Sequence, residues 1–216
     1  MPDTFTLHGS PYSQFTFKVA LLLRLCGQSF GFRYVSFRVG AHRIPEFLAL
    51  SPFGQVPILQ HGDRALCQSA PILEHLSRVL GRFGGADEAM RQRISEFLFW
   101  DADRLGPPVY RSHGFELGRR GLLPRSAHPA VVAHYRELAE AAFAVLDGKL
   151  AGRGFLVGDV PTIADIACYG EVAFAPLAGL DIGTFRNIRS WEERISKLPG
   201  YKPPLELLPM ENAEIL

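Results

Sequence analysis

The apolar positions change period along the chain. Residues 5–7 read as a short strand closed by Gly9 and Pro11, and residues 19–25 form an apolar stretch suited to a helix that stops at Gly27. Residues 30–37 mix aromatic and β-branched positions in alternation, as a strand does. Residues 56–59 and 65–67 are two further short strands, and the His61-Gly62-Asp63 turn between them makes a hairpin. From residue 69 to 80 the period lengthens again, with Ile72, Leu73, Leu76 and Leu80 on one side of a helix. The order is βαβ followed by ββα, which predicts a thioredoxin-like α/β domain.

A glycine-rich stretch without periodicity follows, and beyond it the pattern is helical throughout. Met90, Ile94, Phe97, Leu98 and Leu105 recur at helical spacing, as do Val131, Tyr135, Leu138, Ala142, Leu146 and Leu150, so both sets are expected to pack as a bundle. Gly106-Pro107-Pro108 should interrupt or kink the first of these helices, because proline lacks an amide donor and clashes with the preceding turn; a break there would open a cleft. Thr162-Ile163-Ala164-Asp165 has the form of a capping box, and residues 163–177 carry few polar side chains on any face, as a central bundle helix would. The expected organisation is a thioredoxin-like domain over residues 1–81, a linker over 82–87 and an all-α helical bundle over 88–216.

Composition narrows the function classes. The chain has 216 residues, 47% hydrophobic and 21% charged, without low-complexity tracts or repeats, so an ordinary globular protein is expected. Its formal net charge is +1 and its basic residues are interspersed with acidic ones, which leaves no electrostatic footprint for nucleic acid or anionic membrane and favours small-molecule chemistry. Cys26, Cys67 and Cys168 are widely spaced and odd in number, a pattern that fits neither a disulfide framework nor a metal site and suggests a reducing compartment. No signal-like or membrane-length apolar segment is present, so a cytoplasmic location is expected.

Three junctions carry polar groups suited to ligand chemistry. Ser10-Pro11-Tyr12-Ser13 stands where the first strand meets the first helix, beside unpaired amides and the positive end of a helix dipole; it is either an anion site or a simple cap. In Gly54-Gln55-Val56-Pro57 a proline opens a strand, which indicates either a cis peptide that presents the Val56 backbone to a peptide ligand or an edge-strand proline. Gln68-Ser69 precedes the next helix and can hold a carboxylate or merely cap it. All three lie at junctions that should converge on one edge of the sheet.

The run LHGSPYSQFTFKVALLLRL at 7–25 resembles the opening of the serine-type, bacterial-type cytosolic glutathione S-transferases. PEFLALSPFGQVPIL at 45–59, QSAPILEHL at 68–76 and FLVGDVPTIADIACY at 155–169 are also similar to that family, so the resemblance covers most of the chain. It implies a glutathione S-transferase fold, glutathione as co-substrate without a metal, a hydrophobic electrophile as second substrate and a homodimer. It further implies that Ser13, with Ser10 in reserve, bonds the glutathione sulfur. Val56 and Pro57 would meet the cysteinyl backbone, Gln68 and Ser69 the γ-glutamyl end, and His42, Arg43 and Gln55 the glycine end, although a His-Arg pair in a polar loop is also ordinary solvated surface.

The family often has an acidic residue where Gln68 stands and asparagine where Ser51 stands, so weaker glutathione binding and an altered loop are expected. Tyr12, Phe15, Trp100 and Tyr110 would wall the second-substrate side, with bundle core as the other reading of Trp100 and Phe97. Both positions of a redox dithiol are serines, which counts against dithiol reduction. Glutathione-dependent disulfide or peroxide reduction and a non-catalytic interaction module remain the alternatives to conjugation.

Overall fold

A computed structural model of the chain describes residues 4–216; residues 1–3, with which the expected first domain begins, lie outside the described residues. The chain forms two compact units. One runs to Arg82 and resumes at Leu198–Leu216, and the other is Phe83–Lys197.

In the first unit, β1 (Phe5–Gly9) is followed by α1 (Gln14–Leu25) and β2 (Phe30–Tyr34), then α2 (Pro45–Leu50), the hairpin β3 (Ile58–His61) and β4 (Arg64–Cys67), and α3 (Ser69–Leu80). The sheet order is β4-β3-β1-β2 with a fifth strand, β5 (Ala213–Ile215), beyond β2; β1 runs parallel to β2, as a helical crossover requires, and antiparallel to β3. Phe5, Leu7, Phe32, Ile58 and Leu59 are buried on the strands, and Leu21 and Leu22 of α1 with Ile72, Leu73 and Leu76 of α3 are buried on the helices.

The fifth strand departs from the expected domain extent. Residues 198–216 belong with the first unit, not with the helical bundle assigned to 88–216. Their strand β5 (Ala213–Ile215) pairs antiparallel with β2, and Glu214 forms an ion pair with Arg33 at 3.1 Å. Three residues are too short a run for alternation to signal a strand.

The second unit is helical: α4 (Glu88–Trp100), α5 (Gly106–Arg119), α6 (Pro129–Leu150), α7 (Ile163–Phe174) and α8 (Arg186–Ser196). Gly106-Pro107-Pro108 does not break the first helix. A single π turn, Asp101–Leu105, joins α4 to α5, and the Gly106 amide reaches back to the Asp101 carbonyl. The two prolines therefore fall in the first turn of α5, where a missing amide costs least.

On α4, Ile94 and Leu98 are buried, whereas Phe97 and Trp100 are only half-buried, so these two aromatics are not bundle core. Along α6 the expected stripe is buried only in its second half, at Ala142, Leu146 and Leu150, joined by Ala139 and Phe143; Val131 and Leu138 are exposed. α7 is buried along nearly its whole length.

The capping box is present at Thr162 and Asp165, and Asp165 does more than cap. One of its oxygens accepts from the Leu156 amide at 2.8 Å and the Trp191 indole at 2.9 Å, and the other from the Thr162 amide at 2.8 Å and hydroxyl at 3.1 Å. Burial pushes its carboxyl above the usual range while these donors pull the other way.

His113 of α5 is buried and meets Phe174 edge-on, with ring centroids 5.3 Å apart. Burial, with Arg120 nearby, lowers its pKa from 6.5 to about 4. The folded state thus binds fewer protons than the unfolded one between these values. The stability this contributes is complete above the unfolded pKa and is lost as pH falls toward 4, by roughly 1.4 kcal/mol per pH unit and on the order of 3 kcal/mol in all. Denaturant unfolding followed from pH 7.5 to 4.5 should show this loss, and His113→Phe should flatten the profile over that range.

Candidate functional site

Register places the three polar junctions together. His8 pairs with Ile58, so the turn after β1 and the segment before β3 lie at the same end of the sheet. Ile58 also pairs with Cys67, which brings Gln68 to that end, and the Gln68 side-chain amide donates to the Gln55 side-chain oxygen at 3.0 Å.

At the first junction, Ser13 is the N-cap of α1, and its Oγ accepts the Thr16 amide at 3.2 Å. Ser13 is buried, though more open than Ser10, whose Oγ accepts from the Tyr12 amide at 3.3 Å. Thr16 binds the turn from beneath by accepting the Ser10 amide at 3.4 Å. Gly9 makes room for it, since a Cβ there would stand 2.1 Å from the Thr16 methyl. No acidic residue occupies the first turn of α1, so the positive end of its dipole is uncompensated from within the helix. Tyr12 and Phe15 flank the turn half-buried, and the Lys18 ammonium, itself buried, sits 5.0 Å above the Phe15 ring.

The Val56-Pro57 peptide is cis. Among the described residues, no strand or turn hydrogen bond uses the amide or carbonyl of Val56. The loop before it is clamped by Ser51, fully buried, whose Oγ donates to the Gln55 carbonyl at 3.0 Å and accepts the Gln55 amide at 3.2 Å. Serine here grips the loop from both sides, so its departure from the asparagine common in the family leaves the loop held. His42 and Arg43 form a 3-10 turn whose His42 carbonyl lies against Gly54, which places them beside the Gln55 loop. Arg43 donates to the His42 ring at 3.2 Å.

Gln68 is exposed with φ 69° and ψ 127°, an uncommon conformation for a residue with a side chain. It does not cap α3 with its side chain, and Ser69 opens that helix half-buried. Among the described residues no group of three or more His, Cys, Asp or Glu is placed to hold a metal ion. Among the described residues none of the three cysteines forms a disulfide, and burial raises the Cys26 thiol above its usual value.

In the helical unit the two expected second-substrate residues have different surroundings. Trp100 lines a cavity of about 530 Å³ with Phe97, Val145, Lys149 and Leu156, and Phe97 meets it edge-on at 6.5 Å. Tyr110 lies instead beneath the loop that follows α5, where Arg125 donates to its hydroxyl at 3.0 Å. Thr16 and Arg125 were missed from the sequence alone, and Ser51 was expected only to alter its loop. Thr16 and Ser51 act through backbone groups that no motif marks, and Arg125 stands 15 residues from its partner.

A family model described as the N-terminal domain of glutathione S-transferases matches residues 7–79, and one described as their C-terminal domain matches residues 113–199. Among curated proteins, Glutathione S-transferase 3 of Zea mays is 28% identical over 214 residues, covering 94% of this chain and 94% of its own. Disulfide-bond oxidoreductase YfcG of Escherichia coli (strain K12) is 26% identical over 190 residues, 85% of this chain and 86% of its own. The crystal structure of a glutathione S-transferase from Xanthobacter autotrophicus Py2 superposes with a TM-score of 0.83 at 29% identity, covering 94% of this chain and 98% of that one.

The cap geometry has a measurable cost. Ser13→Ala removes the acceptor of the Thr16 amide and should lower stability to denaturant by about 1 kcal/mol, whereas Ser13→Thr, which keeps the acceptor, should lose much less.

Proposed function

Because this chain belongs to the glutathione S-transferase family, matched over both of that family's domains, we propose that its sheet-end junctions bind glutathione and activate it as a thiolate. The thiol gives its proton to solvent. The sulfur then attacks an electrophilic carbon of an apolar acceptor, forming a C–S bond as the leaving group departs with its electron pair. The observation that carries the reading is the Ser13 hydroxyl: its oxygen is occupied by the Thr16 amide, and its hydrogen remains to donate to a sulfur anion.

The magnitudes fit. Lowering a thiol pKa from about 8.5 by two units takes roughly 2.7 kcal/mol. A hydrogen bond to a charged group contributes about 1.5–3 kcal/mol, and a helix terminus a further ~0.3–1. The Val56 backbone would pair with the cysteinyl residue in the manner of an added strand. The amide ends at Gln68 and Ser69 would hold the γ-glutamyl carboxylate, and His42, Arg43 and Gln55 the glycine end. Gln68 supplies hydrogen bonds to the γ-glutamyl amino group without the charge of a carboxylate, so binding is weaker than an acid there would give. Tyr12, Phe15, Trp100 and Tyr110 would supply the aromatic surface for the acceptor.

Glutathione-dependent disulfide reduction is the second reading, favoured by one observation, the relative named as a disulfide-bond oxidoreductase. Ser10 and Ser13 leave no dithiol, so such a reaction would draw both electrons from two glutathione molecules, which leave as their disulfide. A non-catalytic interaction module is the third. We place the protein in the cytoplasm as a homodimer, with conjugation serving detoxification of apolar electrophiles.

Following thiolate absorbance in the ultraviolet during glutathione titration, then screening aryl halides, epoxides and disulfides, tests these readings. Thiolate formation at neutral pH with turnover of carbon electrophiles is expected. Disulfide turnover alone would favour the second reading, and no glutathione binding the third. Ser13→Ala should lower kcat by about tenfold or more with a smaller change in glutathione affinity. Unchanged turnover would move the role to Ser10, to be checked with Ser10→Ala. Sedimentation at micromolar concentration should give a dimer, and a pure monomer would refute that assignment.

A further inference from the structure

Tyr110 is the focus of two cations that no acid neutralises. The guanidinium carbon of Arg111 lies 5.5 Å from its ring centroid and that of Arg125 5.4 Å, and Arg125 also donates to the hydroxyl. Among the described residues neither arginine takes part in an ion pair. The nearby carboxylate, Glu116, is already shared between Arg119 at 2.9 Å and Arg136 at 3.7 Å.

Arg125 is exposed but not loose. Its chain lies in a groove made by Gly114 and Gly118, four residues apart on α5. A Cβ at 114 would stand 2.5 Å from a guanidinium nitrogen of Arg125, and one at 118 would stand 1.9 Å from its carbonyl oxygen. Both glycines sit inside a helix, where each costs about 1 kcal/mol relative to alanine. Neither has a positive φ that would demand glycine, so close approach of the Arg125 segment is what the space serves. The segment is further tied back by the Leu122 amide on the Leu117 carbonyl at 2.9 Å.

A seated guanidinium fork beside a phenol, with a second guanidinium on the same ring and no acid between them, is the arrangement that recognises a planar anion attached to an aromatic body. We propose that Arg111 and Arg125 form an anion-recognition edge at Tyr110, so that the preferred acceptors are aromatic electrophiles bearing a carboxylate or sulfonate. The proposal rests on Tyr110 belonging to the second-substrate side.

The test compares 1-chloro-2,4-dinitrobenzene with 4-chloro-3,5-dinitrobenzoate, which share the reacting carbon and leaving group and differ in a carboxylate. The ratio of kcat/KM for the anionic over the neutral acceptor should fall about tenfold in Arg125→Ala and in Arg111→Ala, and should be partly retained in Arg125→Lys. Gly118→Ala, which displaces the segment and keeps every charge, should lower the same ratio. An equal effect on both acceptors, or none, would overturn the proposal while leaving glutathione conjugation standing.

Calorimetric titration of the full chain with 3,5-dinitrobenzoate and with 1,3-dinitrobenzene gives a readout that needs no turnover. Tighter binding of the carboxylate, weakened by Arg125→Ala and by added salt, supports the edge even if neither acceptor reacts and conjugation fails. No preference for the carboxylate in the unmodified protein overturns it.

Discussion

The pairing of β1 with β3 is the constraint on which the chemistry of the first unit depends. Its register sets the turn after β1 opposite the segment that enters β3, and the β3–β4 hairpin returns Gln68 to the same end. Three polar junctions far apart in sequence become neighbours because the register sets buried Leu7 of β1 opposite buried Leu59 of β3, and His8 opposite Ile58. A slip of one residue would carry Phe5 and Leu7, which share a face, to the other face of the sheet and disperse the junctions together. The candidate site and the core are thus specified by one set of hydrogen bonds.

The helical unit is organised around a different device. Asp165 gathers the loop at Leu156, the cap at Thr162 and the indole of Trp191 on one carboxylate, fixing three segments against the buried helix α7. Removing its partners one at a time would leave a buried charge short of donors, which is costlier than losing any single contact. The π turn before α5 acts on orientation. It inserts an extra residue in the helical repeat between Trp100 and Tyr110, which meet different surroundings.

Most of the first unit was legible in the sequence because each element carries its own local signal. Strand alternation, the His61-Gly62-Asp63 turn and the period of α3 all act within a few residues. The polar junctions were legible because they coincide with element boundaries. What the sequence hid depends on distant partners. β5 is three residues long and is recognisable only from the strand it joins. The outward half of α6 has the same spacing as its buried half, and nothing in the periodicity says where cover ends. Gly106-Pro107-Pro108 looked like a break because proline is costly within a helix, yet a π turn just ahead moves the prolines to a first turn, where the cost vanishes. Ser51 shows the reverse case, a departure from a family habit whose side chain nonetheless grips the Gln55 loop.

The return of residues 198–216 to the first unit makes that unit discontinuous in the order of synthesis. The whole helical unit must leave the ribosome before β5 can reach its place. Until then β2 presents a bare edge of amides and carbonyls, ending in aromatic residues, to any other extended chain. The nascent protein is therefore most exposed to mispairing after its first unit has collapsed and before its closing strand arrives, and a lagging or blocked tail would prolong that interval.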